Sequence, residues 1–201
     1  MALALNDKVL TEAFGPSEGT ALRLKQAAMV VLGVAFLALT AKVQMFLPGN
    51  PVPITLTTFG VLTIGAAYGA RLGLLTVVGY LAIGAMGFDV FAGSSAEKAG
   101  LVYMMGGTGG YLVGYALAAA ALGYAARLGW DRNVLLMAVA MLIGNALIYI
   151  PGLLWLHQFA SGWEQTFAWG ITPFLIGDAL KLGLAALLLP AVWKLVGDAR
   201  R

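Results

Sequence analysis

Six apolar stretches, each close to the length of a helix that crosses a bilayer, restrict what this sequence can fold into. A membrane-crossing helix needs about 20 mostly apolar residues. Only 10% of the 201 residues are charged, against roughly a quarter in soluble domains. The expected helices cover about 26–47, 53–70, 72–88, 101–125, 133–156 and 173–195. The sequence therefore predicts an all-α membrane protein with six transmembrane helices, and residues 1–201 form a single domain.

Lys and Arg residues are distributed unevenly between the two ends of these helices. With a cytoplasmic N-terminus, nine of the twelve lie on the cytoplasmic side and two on the outer side, with Lys181 inside the last helix. The cytoplasmic set is Lys8, Arg23, Lys25, Arg71, Arg127, Arg132, Lys194, Arg200 and Arg201, and the outer set is Lys42 and Lys98. This asymmetry predicts that both termini are cytoplasmic. The basic pI of about 9.3 thus reflects topology and indicates no nucleic-acid partner.

Residues 1–25 lack the basic start and the apolar core of a signal peptide, so we expect a cytoplasmic N-terminal segment. The sequence has no Cys, which excludes disulfides, thiol catalysis and thiolate metal sites. His157 is the single His, and neither a His-Glu-x-x-His motif nor a phosphate-binding loop is present. We therefore expect no enzyme activity, no metal and no cofactor.

The last apolar stretch contains an acid and a base, Asp178 and Lys181. Their i, i+3 spacing places both on one face of a helix, within reach of each other. Lys181 follows Pro173 by eight residues, which puts it roughly 12 Å from the outer end of the helix. Ionisable groups at membrane depth are costly and usually mark a site. The pair predicts a small-molecule pocket that opens outward, and a salt bridge that only joins helices is the alternative.

Three prolines precede three threonines in the segment 48–60, before the second expected helix. The prolines restrict the backbone, so this segment should be stiff and non-helical until about Pro53. Irregular backbone at membrane depth is tolerated against protein or a water-filled cavity. Thr55 and its neighbours therefore either line a pocket lid or cap a helix in an ordinary interfacial loop.

The segment Gly106-Gly-Thr-Gly-Gly110 opens the fourth expected helix with a high density of glycine. Such density breaks or bends a helix and exposes backbone groups. Close helix packing explains most of these glycines. A binding wall formed by bare backbone is expected for one or two of them, with Gly109 and Gly110 as the candidates.

Small residues also form two candidate docking faces for a membrane partner. Ala35, Ala38 and Ala41 form a ridge on the first helix, and Gly65 and Gly69 show small-xxx-small spacing on the second. Such spacings let helices approach closely, either between subunits or inside one bundle. Internal packing is the commoner use of either face.

Four segments together resemble the BioY family, the membrane-embedded biotin-binding subunits of energy-coupling-factor vitamin transporters. They are Pro51-Val-Pro-Ile-Thr-Leu-Thr-Thr-Phe-Gly60; Gly84-Ala-Met-Gly-Phe-Asp-Val-Phe-Ala-Gly93 with Gly106-Gly-Thr-Gly-Gly-Tyr-Leu-Val-Gly114; Ile148-Tyr-Ile-Pro-Gly-Leu-Leu-Trp-Leu156; and Pro173-Phe-Leu-Ile-Gly-Asp-Ala-Leu-Lys181. Each motif alone is modest, and their order and spacing across one six-helix chain are specific.

The resemblance implies high-affinity capture of biotin across a bacterial cytoplasmic membrane. Asp178 would accept a hydrogen bond from a ureido N–H of biotin, and Lys181 would donate to the ureido carbonyl or the carboxylate. Thr55, Tyr149 and the Gly109–Gly110 backbone would form pocket walls, and Lys98 is a candidate partner for the biotin carboxylate.

The resemblance also implies a transmembrane coupling subunit and ATPase subunits as partners. A transporter that works alone or as a homo-oligomer remains the alternative. The sequence leaves open the oligomeric state, the affinity and the need for ATPases.

Overall fold

A computed structural model describes residues 8–95 and 98–198, which are mostly helical. The helices are α1 (Gly19–Lys42), α2 (Thr57–Ala85), α3 (Gly100–Met104), α4 (Gly109–Arg127), α5 (Val134–Leu156), α6 (Trp163–Gly170) and α7 (Leu175–Asp198). Two short strands, β1 (Gln44–Met45) and β2 (Ile54–Thr55), pair antiparallel between α1 and α2. Short 3-10 turns lie at Leu10–Ala13, Trp130–Arg132, His157–Phe159 and Thr172–Phe174.

Five helical stretches of the described chain are long and apolar enough to cross a membrane. They are Gly19–Lys42, Thr57–Ala85, Gly109–Arg127, Val134–Phe159 and Trp163–Val196. The interior lies where α4 packs between α2 and α5, while α1 packs on α2 and α7 packs on α5 and α2. Many large apolar side chains on the outside of the bundle are exposed, as expected for helices that contact lipid.

Helix α2 covers the second and third expected helices, and its backbone is interrupted between them at Gly69. The φ and ψ of Gly69 are 78° and 168°, a left-handed φ that favours glycine. A Cβ atom added to Gly73 would lie 3.0 Å from the Cα of Gly65. In a straight helix, residues eight apart are separated by about 12 Å. The chain therefore folds back at Gly69, and Gly73 lies against Ile64 and Gly65.

Several helix boundaries differ from the expected ones for local reasons. Helix α1 begins and ends earlier than 26–47, and the chain then enters the β1–β2 ladder. That ladder also delays the start of α2 to Thr57, beyond Pro53. The glycine-rich segment divides the fourth expected helix into α3 and α4. Helix α5 begins near the expected residue because the Asn133 side chain accepts hydrogen bonds from the N–H groups of Leu135 and Leu136.

The segment that precedes α1 packs at the end of the bundle where α4 ends at Arg127, here called the basic end. Glu12 forms an ion pair with Arg127 at 2.7 Å, and the Thr11 hydroxyl donates to the Ala67 carbonyl at 3.1 Å. The buried side chain of Val9 lies beside Gly69. This N-terminal segment therefore links the reversal of α2 to the end of α4.

Candidate functional site

The charged pair of α7 is buried in the half of the bundle opposite this basic end. Lys181 Nζ lies 2.9 Å from Asp178 Oδ1, and the two side chains are only 13% and 10% exposed. The same ammonium lies 3.3 Å from the Thr58 hydroxyl of α2. The Tyr149 hydroxyl of α5 donates to the other oxygen, Asp178 Oδ2. Three helices thus bring an acceptor-rich and a donor-rich group side by side.

Threonines at the start of α2 add further hydroxyls to this region. The Thr55 hydroxyl lies 3.1 Å from the Thr57 hydroxyl and accepts from the Thr57 N–H at 3.2 Å. Thr55 and Thr57 are buried, and Thr58 is half-buried. These contacts show that the threonines both shape the helix start and line the site.

A cavity of about 560 Å³ lies over these polar groups. Thr55, Thr57, Thr58 and Lys181 supply part of its polar lining, and most of the remaining wall is aromatic or aliphatic. The aromatic lining residues are Tyr80, Phe91, Tyr103, Tyr111, Tyr115, Tyr149 and Phe174. Apolar walls with a few convergent polar groups are typical of a small-molecule site.

Tyrosine hydroxyls of the cavity wall donate hydrogen bonds to the segment after α2 and to the end of α6. Tyr80 donates to the Val90 carbonyl at 3.1 Å, and Tyr103 donates to the Ala92 carbonyl at 2.7 Å. Tyr111 donates to the Gly170 carbonyl at 2.9 Å. Phe91 packs between Tyr80 and Tyr103, with ring centroids 5.2 and 4.9 Å away. These contacts hold the segment that carries Phe91 against the helices.

An exposed ion pair secures the same segment from the other side. Lys42 Nζ lies 2.6 Å from Asp89 Oδ1 and 3.0 Å from the Phe91 carbonyl oxygen. Hydrogen bonds from Lys42 and then from Ser94 lower the pKa of Asp89 below its ordinary value. Because both side chains are exposed, the pair orders this segment more than it stabilises the fold.

The structure brings together four of the seven predicted binding residues. Thr55, Tyr149 and Lys181 line the cavity, and Asp178 is hydrogen-bonded to two of them. Lys98 is exposed in the segment before α3 and does not line the cavity.

Gly109 and Gly110, which the sequence predicts as a binding wall, pack closely against neighbouring backbone and do not line the cavity. A Cβ on Gly110 would lie 2.2 Å from the Pro151 carbonyl oxygen, and one on Gly109 would lie 2.1 Å from the Met104 carbonyl oxygen. Both glycines are needed because α4 approaches its neighbours too closely for a side chain.

The predicted docking residues are also placed differently from one another. Ala35 is exposed, Ala38 is half-buried and Ala41 is buried, because a three-residue spacing rotates around the helix. A Cβ on Gly65 would lie 2.8 Å from the Cα of Ala119, and Gly69 is buried at the reversal of α2. The two glycines pack inside the bundle, and Ala35 is the exposed member of the alanine ridge.

Thr58 and the tyrosines of α4 belong to the site and were not predicted as site residues. Tyr111 and Tyr115 are four residues apart and both line the cavity. Their spacing on one helix face was the available signal. In the described chain, no group of three or more His, Cys, Asp and Glu residues lies close enough to hold a metal ion.

Comparison with known proteins identifies the family of this chain. The sequence profile of the BioY family matches residues 15–198. The chain belongs to the BioY family.

Among the BioY relatives, a probable biotin transporter BioY of Pyrococcus horikoshii is 32% identical over 167 residues, which cover 83% of this chain and 95% of that protein. The biotin transporter BioY of Thermotoga maritima is 33% identical over 142 residues, 71% of this chain and 81% of that protein. The crystal structure of the S-component for biotin from an ECF-type ABC transporter superposes with a TM-score of 0.77. That comparison covers 89% of this chain and 95% of the other at 21% identity, so it shows that this BioY chain has the S-component fold.

Proposed function

We propose that this protein captures biotin and takes it up across the cytoplasmic membrane as the substrate-binding subunit of an energy-coupling-factor transporter. The observation that carries the proposal is the buried Asp178–Lys181 pair beneath an aromatic cavity in a BioY-family chain. The protein is accordingly a transport component and not an enzyme.

The polar groups of the cavity match the ureido end of biotin. A ureido group offers two N–H donors beside one carbonyl acceptor. Asp178 accepts from an N–H group, and Lys181 with Thr58 can donate to the carbonyl. The tyrosine and phenylalanine rings provide an apolar surface for the fused thioether ring.

We further propose six membrane crossings with both termini cytoplasmic. The reversal at Gly69 supports two crossings within α2. Contacts of Arg127 with Glu12 and of Arg132 with the Lys8 backbone support a common, cation-rich end. In this orientation the biotin cavity opens to the outside.

The exposed face of α1 is the proposed contact with a transmembrane coupling subunit. Val31, Ala35 and Leu39 repeat every four residues and are exposed, with the small Ala35 allowing a partner helix to approach. We expect Ala35→Trp to reduce ATP-dependent biotin uptake in membranes that contain the whole transporter, with biotin binding unchanged. Full uptake by this variant would refute the docking face, and uptake without ATPase subunits would favour a transporter that works alone.

Isothermal titration of the purified chain with biotin tests the proposed function. We expect one-to-one binding by the wild type and its loss in Asp178→Asn and in Lys181→Ala. Lys194→Ala is the matched control, because it removes an exposed cation at the far end of α7. Absence of binding by a folded wild type, or unchanged binding by both pair variants, would refute the biotin assignment.

A further inference from the structure

Two arginines at the basic end of the bundle, Arg23 and Arg71, are exposed and form no ion pair or hydrogen bond with any residue that the structure describes. Other cations of this end are already engaged. Lys25 donates to a backbone carbonyl at 2.7 Å, and Arg127 is paired with Glu12. Two guanidinium groups of one end of the bundle are therefore available to an anion.

Thr11 shows that the two arginines belong to neighbouring parts of the fold. Its carbonyl accepts a hydrogen bond from Lys25 of α1 at 2.7 Å, and its hydroxyl donates to the Ala67 carbonyl of α2 at 3.1 Å. Arg23 lies two residues from Lys25, and Arg71 lies four residues from Ala67. Both arginines therefore lie where the start of α1 meets the reversal of α2.

The packing of α1 on α2 gives the direction in which Arg23 leaves its helix. A Cβ atom added to Gly79 would lie 3.4 Å from Cγ2 of Val34, so Val34 points toward the part of α2 that follows the reversal. Arg23 precedes Val34 by eleven residues, which is about three helical turns. Its side chain therefore leaves α1 toward the same part of α2.

A second contact between these helices gives the offset of the two arginines along the bundle. A Cβ atom added to Gly33 would lie 2.6 Å from Cγ2 of Thr76. Arg71 lies about 7.5 Å before Thr76 along its helix, and Arg23 lies about 15 Å before Gly33. The two arginines are thus offset by about 7.5 Å, which two long side chains can span around one small anion.

Arg71 also begins an exposed apolar face of α2. Leu74, Leu75 and Val78 follow it at three, four and seven residues, which is the spacing of one helix face, and all three are exposed. Such a face on a membrane-crossing helix contacts acyl chains. Arg71 therefore stands where this lipid-facing surface ends at the basic end.

A phosphate group fits two guanidinium groups in this position. Each guanidinium presents parallel N–H donors that match a pair of phosphate oxygens. Basic pockets between membrane helices on the cytoplasmic side bind anionic headgroups of lipids. A phospholipid would use both the charges and the adjoining apolar face, whereas a soluble anion would use the charges alone.

We propose that Arg23 and Arg71 bind the phosphate of an anionic phospholipid, whose acyl chains lie along Leu74, Leu75 and Val78. In the proposed orientation this lipid belongs to the cytoplasmic leaflet. The site lies outside the main cavity and is independent of the ligand that the cavity binds.

Energy transfer from the tryptophans to phosphatidylglycerol labelled on an acyl chain tests the site, with the purified chain in uncharged detergent. Phosphatidylcholine with the same chains is the comparison, because its choline neutralises the phosphate. We expect the wild type to prefer phosphatidylglycerol by about tenfold to a hundredfold, the range for hydrogen bonds to a charged group. Glycerol phosphate lacks the chains and should displace the labelled lipid at least about tenfold less well than unlabelled phosphatidylglycerol.

Two charge-matched double variants locate the preference. Arg23→Gln with Arg71→Gln should abolish it, whereas Lys98→Gln with Lys194→Gln removes the same charge from two other exposed positions and should keep it. Raising the ionic strength should weaken phosphatidylglycerol binding by the wild type and leave phosphatidylcholine binding unchanged.

Five results would each overturn the lipid site. They are equal binding of the two lipids by the wild type, as expected if the arginines serve an acidic protein segment, binding that salt does not change, an unaltered preference in the arginine variant, loss of the preference in the lysine variant, and equal competition by glycerol phosphate.

Discussion

The Asp178–Lys181 pair can be tested as a structural element and as a binding element with one set of variants. Asp178→Asn leaves the Lys181 ammonium buried without its counter-charge. Lys181→Met likewise leaves the Asp178 carboxylate buried without its counter-charge. The double variant removes both charges at once. These three proteins and the wild type form a double-mutant cycle.

The structure indicates a large coupling in this cycle. The two charged atoms are 2.9 Å apart, and their side chains are only 13% and 10% exposed, so water screens them weakly. Removing one partner of a buried pair costs about 3–5 kcal/mol, whereas replacing both often costs little. We therefore expect each single variant to lose about 3–5 kcal/mol of stability and the double variant to lose about 1–2 kcal/mol.

Thermal unfolding followed by tryptophan fluorescence measures the loss of stability in each variant. For a chain of this length, about 1 kcal/mol shifts the midpoint by roughly 2–4 °C, so each single variant should unfold about 6–20 °C earlier. The double variant should recover most of this loss. Biotin titration measures the affinity of each variant for biotin, and the double variant should remain unable to bind.

Two results would contradict this account. A double variant that loses as much stability as the two single variants added together would show that the two charges are not energetically coupled. A double variant that binds biotin with wild-type affinity would show that the pair only joins α7 to its neighbours.

Three further variants address other parts of the protein. Tyr149→Phe removes a hydrogen-bond donor to Asp178, and we expect titration to show about tenfold weaker biotin binding. Unchanged affinity would show that the Tyr149 hydroxyl does not position the Asp178 carboxylate for the ligand. Gly110→Val should prevent folding or lower the unfolding midpoint by more than about 10 °C, because the Val side chain would overlap the Pro151 carbonyl oxygen. A midpoint equal to that of the wild type would contradict this packing. Burial raises the pKa of Asp131, which is completely buried and bonded to Trp193. The folded state therefore holds this proton to higher pH than the unfolded state, and stability should fall as the pH rises above about 4 toward the raised pKa. Asp131→Asn should flatten that part of the profile, and an identical slope in the variant would refute the assignment.

The sequence predicted the elements whose signals are local. The spacing of Asp178 and Lys181 is sufficient to place them on one face of a helix, and the structure shows them in contact. The position of Thr55 after three prolines and the resemblance of the Tyr149 segment were also sufficient to propose them. Each of these inferences used a short stretch of chain and the cost of polarity in lipid.

The sequence failed where the answer depends on what another helix contributes. A glycine looks the same whether its backbone faces a ligand or a neighbouring helix, so the sequence could not show that Gly109 and Gly110 pack against neighbouring backbone and lie outside the cavity lining. Tyr111 and Tyr115 resemble ordinary membrane aromatics until α2 and α5 enclose them in the cavity. Lys98 lies in the segment before α3, and the path of that segment leaves it outside the cavity lining.

The backbone angles of Gly69 affect whether the chain crosses the membrane an odd or an even number of times. If α2 continued straight, its 29 residues would form a single rod of about 43 Å. Every helix after it would then cross in the opposite sense, and Arg127 would change sides relative to Arg23. In the proposed topology of six crossings, the fold-back gives an even number of passages and leaves Arg71 beside the turn. In the proposed orientation, this glycine decides which side of the membrane can load the cavity.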